Sequence, residues 1–174
     1  YPTSVLLGLL PLAKEKLILL DCPIIVDAKS GTTGAGRKAK THLVHSEVDG
    51  NFSPYKSGRV HQHIGEMEQA LEKEGLIAGN LIFSPHLLPV DRGILSAIYV
   101  RVSDLPGSMQ VIRTAYQKEA LVDVLPSGAL ATLRHVVRTP RAVLSLTPAG
   151  SDTLIIHSAI DNLLKGAASQ AVQN

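Results

Sequence analysis

Apolar residues recur at helical spacing in four stretches of the chain, and in alternation or short unbroken runs in six others. The first stretch, YPTSVLLGLLPLAKEK, predicts a helix over residues 4–20, capped by Thr3 or Ser4 and burying Val5, Leu6, Leu9 and Leu10. Residues 64–74 carry Ile64, Met67, Gln69 and Leu71 as a partial stripe, with Gly75 as the stop. A third helix is predicted over 108–120, with Ser108 as cap and Val111, Ile112, Ala115 and Tyr116 on one face, and a fourth over 161–173, capped by Asp161 and rich in small residues. Between them, β-branched or alternating runs predict strands at 23–28, 81–84, 93–102, 121–125, 142–146 and 153–159, with a loop over 85–92. The stretch 134–141 fits neither period. Helices interleaved with strands on short turns predict an α+β fold: a mixed, mostly antiparallel sheet with helices on one face. No internal repeat or low-complexity tract interrupts it.

Composition narrows the classes of function. With 174 residues and 45% hydrophobic content, the chain can bury a substantial core. A net charge of +2, six aromatic residues and no block of like charge leave no basic stripe for nucleic acid. The apolar opening is too short, and too broken by Gly8 and Pro11, to span a bilayer, and it lacks the basic leader of a signal sequence. A chain that opens on Tyr directly into a core helix reads as cut from something longer. The single cysteine, Cys22, rules out an internal disulfide framework, suits a reducing cytoplasm, and next to an apolar run reads as a structural thiol.

Candidate chemistry concentrates in residues 58–71, GRVHQHIGEMEQAL. His61 and His63 with Glu66 are reasonable zinc ligands, but the spacing is not that of a helical zinc motif. Acid and base catalysis is the better use, since a histidine titrates near neutrality and a carboxylate can orient it; two ordinary histidines at a helix start are the plain alternative. The glycine-rich, basic loop KSGTTGAGRKAK (29–40) allows close backbone approach and, with Lys29 and Arg37, can hold an anion; a solvated loop explains it equally well. His42 and His45 read as surface or core-edge histidines. Arg92 in PVDRGIL can clamp a carboxylate or phosphate, or simply pair with a surface acid such as Asp91.

Five blocks in order, YPTSVLLGLLPL, KSGTTGAGR, GRVHQHIGEM, FSPHLLPVDRGIL and AIDNLLKGAASQAVQN, make the chain resemble the N-acetyl-gamma-glutamyl-phosphate reductases of arginine biosynthesis. That family is similar to aspartate-semialdehyde dehydrogenase: a nucleotide-binding Rossmann domain precedes a catalytic and dimerisation domain like the second domain of glyceraldehyde-3-phosphate dehydrogenase. The resemblance implies that residues 1–160 are that second domain and 161–174 a closing helix that packs on the absent NADP-binding domain. It implies NADPH-dependent reductive dephosphorylation of an acyl phosphate through a thioester, a homodimer or homotetramer, and a cytoplasmic location. By the same resemblance His61 is the acid and base; His63, Glu66, Arg37 and Arg92 are substrate-side residues; Ser30, Gly31 and Asn162 are cofactor-side residues; and no metal is required. The family's nucleophilic cysteine stands immediately before YPT, so it is not in this chain, and Cys22 matches no motif that could replace it. The isolated chain is therefore expected to be inactive. Gly65 stands where the family has a proline. Two other readings are the same reaction on the longer aminoadipyl phosphate and a non-catalytic dimerisation module.

Overall fold

The computed structural model describes residues 1–36, 41–76 and 79–173, and side chains within them except those of Ala35, His42 and His45. Seven strands form one sheet: β1 (Ile24–Ser30), β2 (Ser53–Pro54), β3 (Leu81–Leu87), β4 (Ile94–Arg101), β5 (Val122–Val124), β6 (Ala142–Ala149) and β7 (Thr153–Ile160), in the order β2-β3-β1-β4-β7-β6-β5. The β1–β3 and β5–β6 pairs are parallel and the other four antiparallel, which is the mixed α+β sheet the periodicity predicts. Helices α1 (Pro2–Lys14), α3 (His63–Glu72) and α4 (Leu105–Tyr116) belong to its helical face; the short α2 (His45–Val48) lies in the connection from β1 to β2, and the short α5 (Ser169–Gln173) is the last element. No helix among the described residues is long and apolar enough to cross a membrane.

Helix α1 lies over the middle of the sheet because its residues suit both contacts. Val5, Leu9 and Leu12 are fully buried, while Leu6 and Leu10 pack only partly against the core. Gly8 is what lets the helix come close: a Cβ there would stand 2.9 Å from Ile98 Cδ1 and 3.2 Å from Ile156 Cγ2. Pro11 cannot donate to the Leu7 carbonyl as a normal i+4 residue would, and the Tyr116 hydroxyl donates to that carbonyl instead, at 2.7 Å. A proline inside a helix is thus offset by a phenol from α4. A second polar tie, Ser4 Oγ to Ser96 Oγ at 2.7 Å, joins α1 to β4 where both residues are fully buried.

Several boundaries differ from the sequence reading. Helix α1 stops at Lys14 instead of running to 20, because Lys16 turns left-handed (φ 55°) and Ile18 pairs with Val102 alongside the sheet. Its cap position is Tyr1 with Pro2 just inside, and Ser4 serves the interior instead. Gln69 faces solvent, so the stripe of α3 is Ile64, Met67 and Leu71. Helix α4 begins at Leu105 because Asp104 accepts from the Gly107 amide at 3.1 Å; Ser108 is buried instead of capping. Strand β3 continues through Pro85 to Leu87: Pro85 sits opposite Ala28 within the β1–β3 register, and its carbonyl accepts from the Tyr55 amide. The final stretch is not one helix: Asp161 accepts from the Leu163 and Leu164 amides, a π-helical segment Leu164–Ala168 follows, and only then α5.

The other sheet face is covered at one end by residues 125–141, with Ala131 and Val136 against Val143 and Ala159. Over β3, β1, β4 and β7 it is open. There the register sets Ile82, Ile25, Tyr99 and Ile155 side by side in one cross-strand row, of which Ile82, Ile25 and Tyr99 are 49, 41 and 36% exposed.

Candidate active site

A cavity of about 760 Å³ opens where the N-terminus of α1, the end of β1 and the approach to α3 converge. His61 and His63 line it, together with Tyr1, Tyr55, Lys56, Ser30, Gly31 and Asn162. His61 is only 6% exposed. Rings surround it: His63 at 4.9 Å, Phe83 at 5.1 Å, Tyr1 at 5.6 Å and Tyr55 at 5.7 Å between centroids. The apolar edges and faces of these rings exclude water, and the consequence is electrostatic. Burial, then the neighbouring charges of His63 and Lys56, lower His61 from 6.5 to about 4, against a smaller upward pull from Glu66. His63 falls to about 4 as well, chiefly through burial and with Lys56 adding to it. Both imidazoles are therefore neutral at neutral pH.

The start of α3 fixes which nitrogen of His61 does what. The His63 backbone N–H donates to His61 Nδ1 at 3.3 Å, so Nδ1 is the acceptor and the ring proton is assigned to Nε2. His63 Nδ1 is buried with no hydrogen-bond partner among the described residues. The two phenols are linked, Tyr55 Oη to Tyr1 Oη at 3.0 Å, and Tyr1 Oη reaches the His86 carbonyl at 3.4 Å. Burial raises both phenol pKa values, which keeps them protonated donors.

The opposite wall is built from backbone. Gly31 pairs with Gly93, and Thr32 and Thr33 donate from their amides to the Val90 and Asp91 carbonyls. Gly31 has no room for a side chain: a Cβ would lie 2.8 Å from both the Arg92 nitrogen and the Asp91 oxygen. Asn162 clasps the two loops, accepting from the Gly93 amide at 2.7 Å and donating to Thr33 Oγ1 at 2.9 Å. Ser30, almost fully buried, donates to the Gly31 carbonyl at 3.0 Å.

The structure thus brings His61, His63, Ser30, Gly31 and Asn162 together. Glu66 and Arg92 are not on the cavity wall. Glu66 is exposed in the first turn of α3, and no hydrogen bond among the described residues joins it to either histidine. Arg92 Nη1 lies 3.5 Å from the fully buried Asp161, whose carboxylate also accepts from the Arg138, Leu163 and Leu164 amides. Arg37 lies outside the described residues, as do the side chains of His42 and His45. Tyr55 and Lys56 went unmarked in the sequence because nothing in their local pattern distinguishes them from a turn; only the fold returns them to His61. Among the described residues no group of three or more His, Cys, Asp or Glu side chains is placed to hold a metal.

Residues 1–162 match the model of the semialdehyde dehydrogenase dimerisation domain. The chain belongs to that family. Within it, the chain is similar over its whole length to N-acetyl-gamma-glutamyl-phosphate reductases: 45% identical to that of Geobacter metallireducens and 48% to that of Desulforapulum autotrophicum, covering 51% of each. The semialdehyde dehydrogenase dimerisation domain therefore spans about half the length of the curated relatives it matches. Its fold is also that of the aspartate semialdehyde dehydrogenase II of Vibrio cholerae, with a TM-score of 0.74 at 16% identity over 98% of this chain and 57% of the other. The sheet with helices on one face is the architecture of the dehydrogenase family's C-terminal domain, as the sequence resemblance implied.

Proposed function

We propose that this chain is the catalytic and dimerisation domain of a cytoplasmic, NADPH-dependent N-acetyl-gamma-glutamyl-phosphate reductase, which converts the acyl phosphate to the semialdehyde and inorganic phosphate. The observation that carries the reading is His61: a buried, neutral imidazole, oriented by the His63 amide, in a cavity whose far wall is a glycine-rich backbone. Identity of 45–48% along the whole chain to reductases of that name supports the substrate.

In this reading His61 presents Nε2–H to the carbonyl oxygen of the reacting acyl group. Because its Nδ1 is already an acceptor, the ring acts from Nε2 as a hydrogen-bond donor that stabilises the negative charge on that oxygen until the adduct collapses to the carbonyl of the product. A neutral donor does this without an ion having to be desolvated. The hydroxyls of Tyr1 and Tyr55 are spent on each other and on the His86 carbonyl and so hold the wall beside it, and Phe83 keeps water from the ring. A residue preceding Tyr1 would stand at the N-terminus of α1 and against His61, where the helix dipole favours a thiolate; this suits the cysteine the family resemblance expects there.

The wall formed by Gly31, Gly34 and Gly36 fits a flat cofactor ring, since a Cβ at Gly34 would reach within 3.2 Å of Ser30 Oγ and crowd that wall. NADPH bound there supplies the hydride. Ser30 and Thr33 line the same wall with hydroxyls that donate to the Gly31 and Asp91 carbonyls, and Asn162, with both amide atoms engaged, holds the wall in place. Glu66 tunes His61 by charge alone, and Arg92 holds the loop through Asp161. A second copy of the chain covers the open row Ile82, Ile25, Tyr99 and Ile155, in keeping with the family's description as a dimerisation domain.

The test is turnover of the intact gene product with NADPH and N-acetyl-gamma-glutamyl phosphate, against the aminoadipyl analogue one methylene longer. His61→Ala is expected to lower kcat by roughly 10²- to 10⁴-fold with the fold retained. Unchanged turnover removes His61 from the reaction, and a faster rate on the aminoadipyl phosphate reassigns the substrate.

A further inference from the structure

Most cations near the described site are already committed. Arg92 faces Asp161, Lys29 faces Asp27 and Arg59 faces Glu68. The two histidines are neutral at pH 7, so they bring no charge to an anion. Lys56 differs. It lines the cavity beside Tyr55, it has no ion-pair partner among the described residues, and it is the one Lys or Arg among the described residues on the cavity wall. Its backbone is left-handed (φ 46°), a conformation that residues with a Cβ rarely adopt. Lys56 is exposed, so it is open to an incoming anion, and its charge is felt by both His61 and His63. One carboxylate, Glu47, shares the wall, so the cavity is not uniformly positive and an anion must be placed by a specific group.

We propose that Lys56 is the residue that receives the phosphoryl group of the substrate and the inorganic phosphate that leaves it. The assignment rests on the reductase reading for the origin of the phosphate. An ammonium is a compact point charge with three donors, suited to a phosphate dianion that must separate from the acyl carbon and depart. By the same contact Lys56 selects acyl phosphates over uncharged thioesters or esters of the same acyl group.

The experiment uses the intact gene product with saturating NADP, so that the cofactor's own anion contacts are occupied. Inorganic phosphate is titrated calorimetrically, and KM for the acyl phosphate is measured, in the parent, in Lys56→Asn and in Lys56→Arg. Asparagine tolerates the left-handed backbone while removing the charge; arginine restores a cation. The expected result is that phosphate affinity falls and KM rises by at least tenfold in Lys56→Asn, with kcat changed much less, and that Lys56→Arg recovers most of both. Phosphate affinity and KM equal to the parent's in Lys56→Asn, or no phosphate binding by the parent, overturn the assignment. The two readings fail separately: phosphate binding that depends on Lys56 in a product without reductase activity sinks the reductase and keeps the anion site, whereas an active reductase indifferent to Lys56 sinks the anion site and keeps the reaction.

Discussion

Replacing Asp161 by alanine tests how the rear of the site is held. The carboxylate is fully buried at the end of β7 and accepts from the amides of Arg138 (2.7 Å), Leu163 (2.8 Å) and Leu164 (3.0 Å), with Arg92 Nη1 more distant at 3.5 Å. Alanine leaves three backbone donors without their acceptor, at about 1–3 kcal/mol for each that water cannot reach. Those donors are partly buried, so water recovers part of the loss, and the removed carboxylate no longer has to be desolvated; the net cost is about 3 kcal/mol. For a chain of this length that lowers Tm by about 6–12 °C. Scanning calorimetry on Asp161→Ala, Asp161→Asn and Arg92→Ala separates the contributions. Asparagine is expected to be nearly as damaging as alanine, because its NH₂ must face either the Arg138 amide or the Leu163 and Leu164 amides. Arg92→Ala, which loses one long contact from a side chain 29% exposed, is expected to cost under about 1 kcal/mol. A Tm within about 2 °C of the parent for Asp161→Ala, or an Asp161→Asn protein as stable as the parent, would refute the reasoning.

Two further outcomes are expected. His61 and His63 sit at about 4 in the folded chain against 6.5 when exposed, so the unfolded state binds more protons between those values; the stability they contribute is present above pH 6.5 and is lost as pH falls through 4. Tm measured from pH 7.5 down to 4.5 should decline, less steeply in His61→Gln, and a flat profile contradicts the burial argument. On the open sheet face, Ile82→Lys with Tyr99→Lys places two charges in the cross-strand apolar row; sedimentation velocity should show a shift toward monomer with the helical core intact, and unchanged assembly excludes this face as the interface.

Much of the sheet is legible in the chain: in β1 Ile24, Val26 and Ala28 are buried while Ile25 is exposed, and β4 and β7 alternate in part, broken by the buried runs 96–98 and 158–160 where both faces are covered. Helix ends were less so. Ser108 reads as a cap, and only packing shows that the serine is fully buried while Asp104 turns to the Gly107 amide. The end of the chain misled for a similar reason: small residues after Asp161 suit a regular helix, but the Gly166 amide bonds the Asp161 carbonyl and widens the turn. In the site, His61 and His63 announce themselves by type and spacing. Lys56 does not, since a lysine after a tyrosine in a turn has no local mark, and Arg92 drew attention that its contact with Asp161 redirects.

The strand order also dictates how the molecule must be assembled. Strand β4 has β1 on one side and β7 on the other, yet β1 to β4 are made within the first 101 residues and β7 only after residue 152. Until then a growing chain carries an unpaired, apolar edge at what will be the centre of its sheet, and α1 lacks Ile156, one of the two residues against which Gly8 is fitted. Pairings this distant in sequence make closure late and slow. The last quarter of the chain is therefore the step that commits the domain to its fold, and a ribosome stalled before β7 would hold a species prone to associate through that edge.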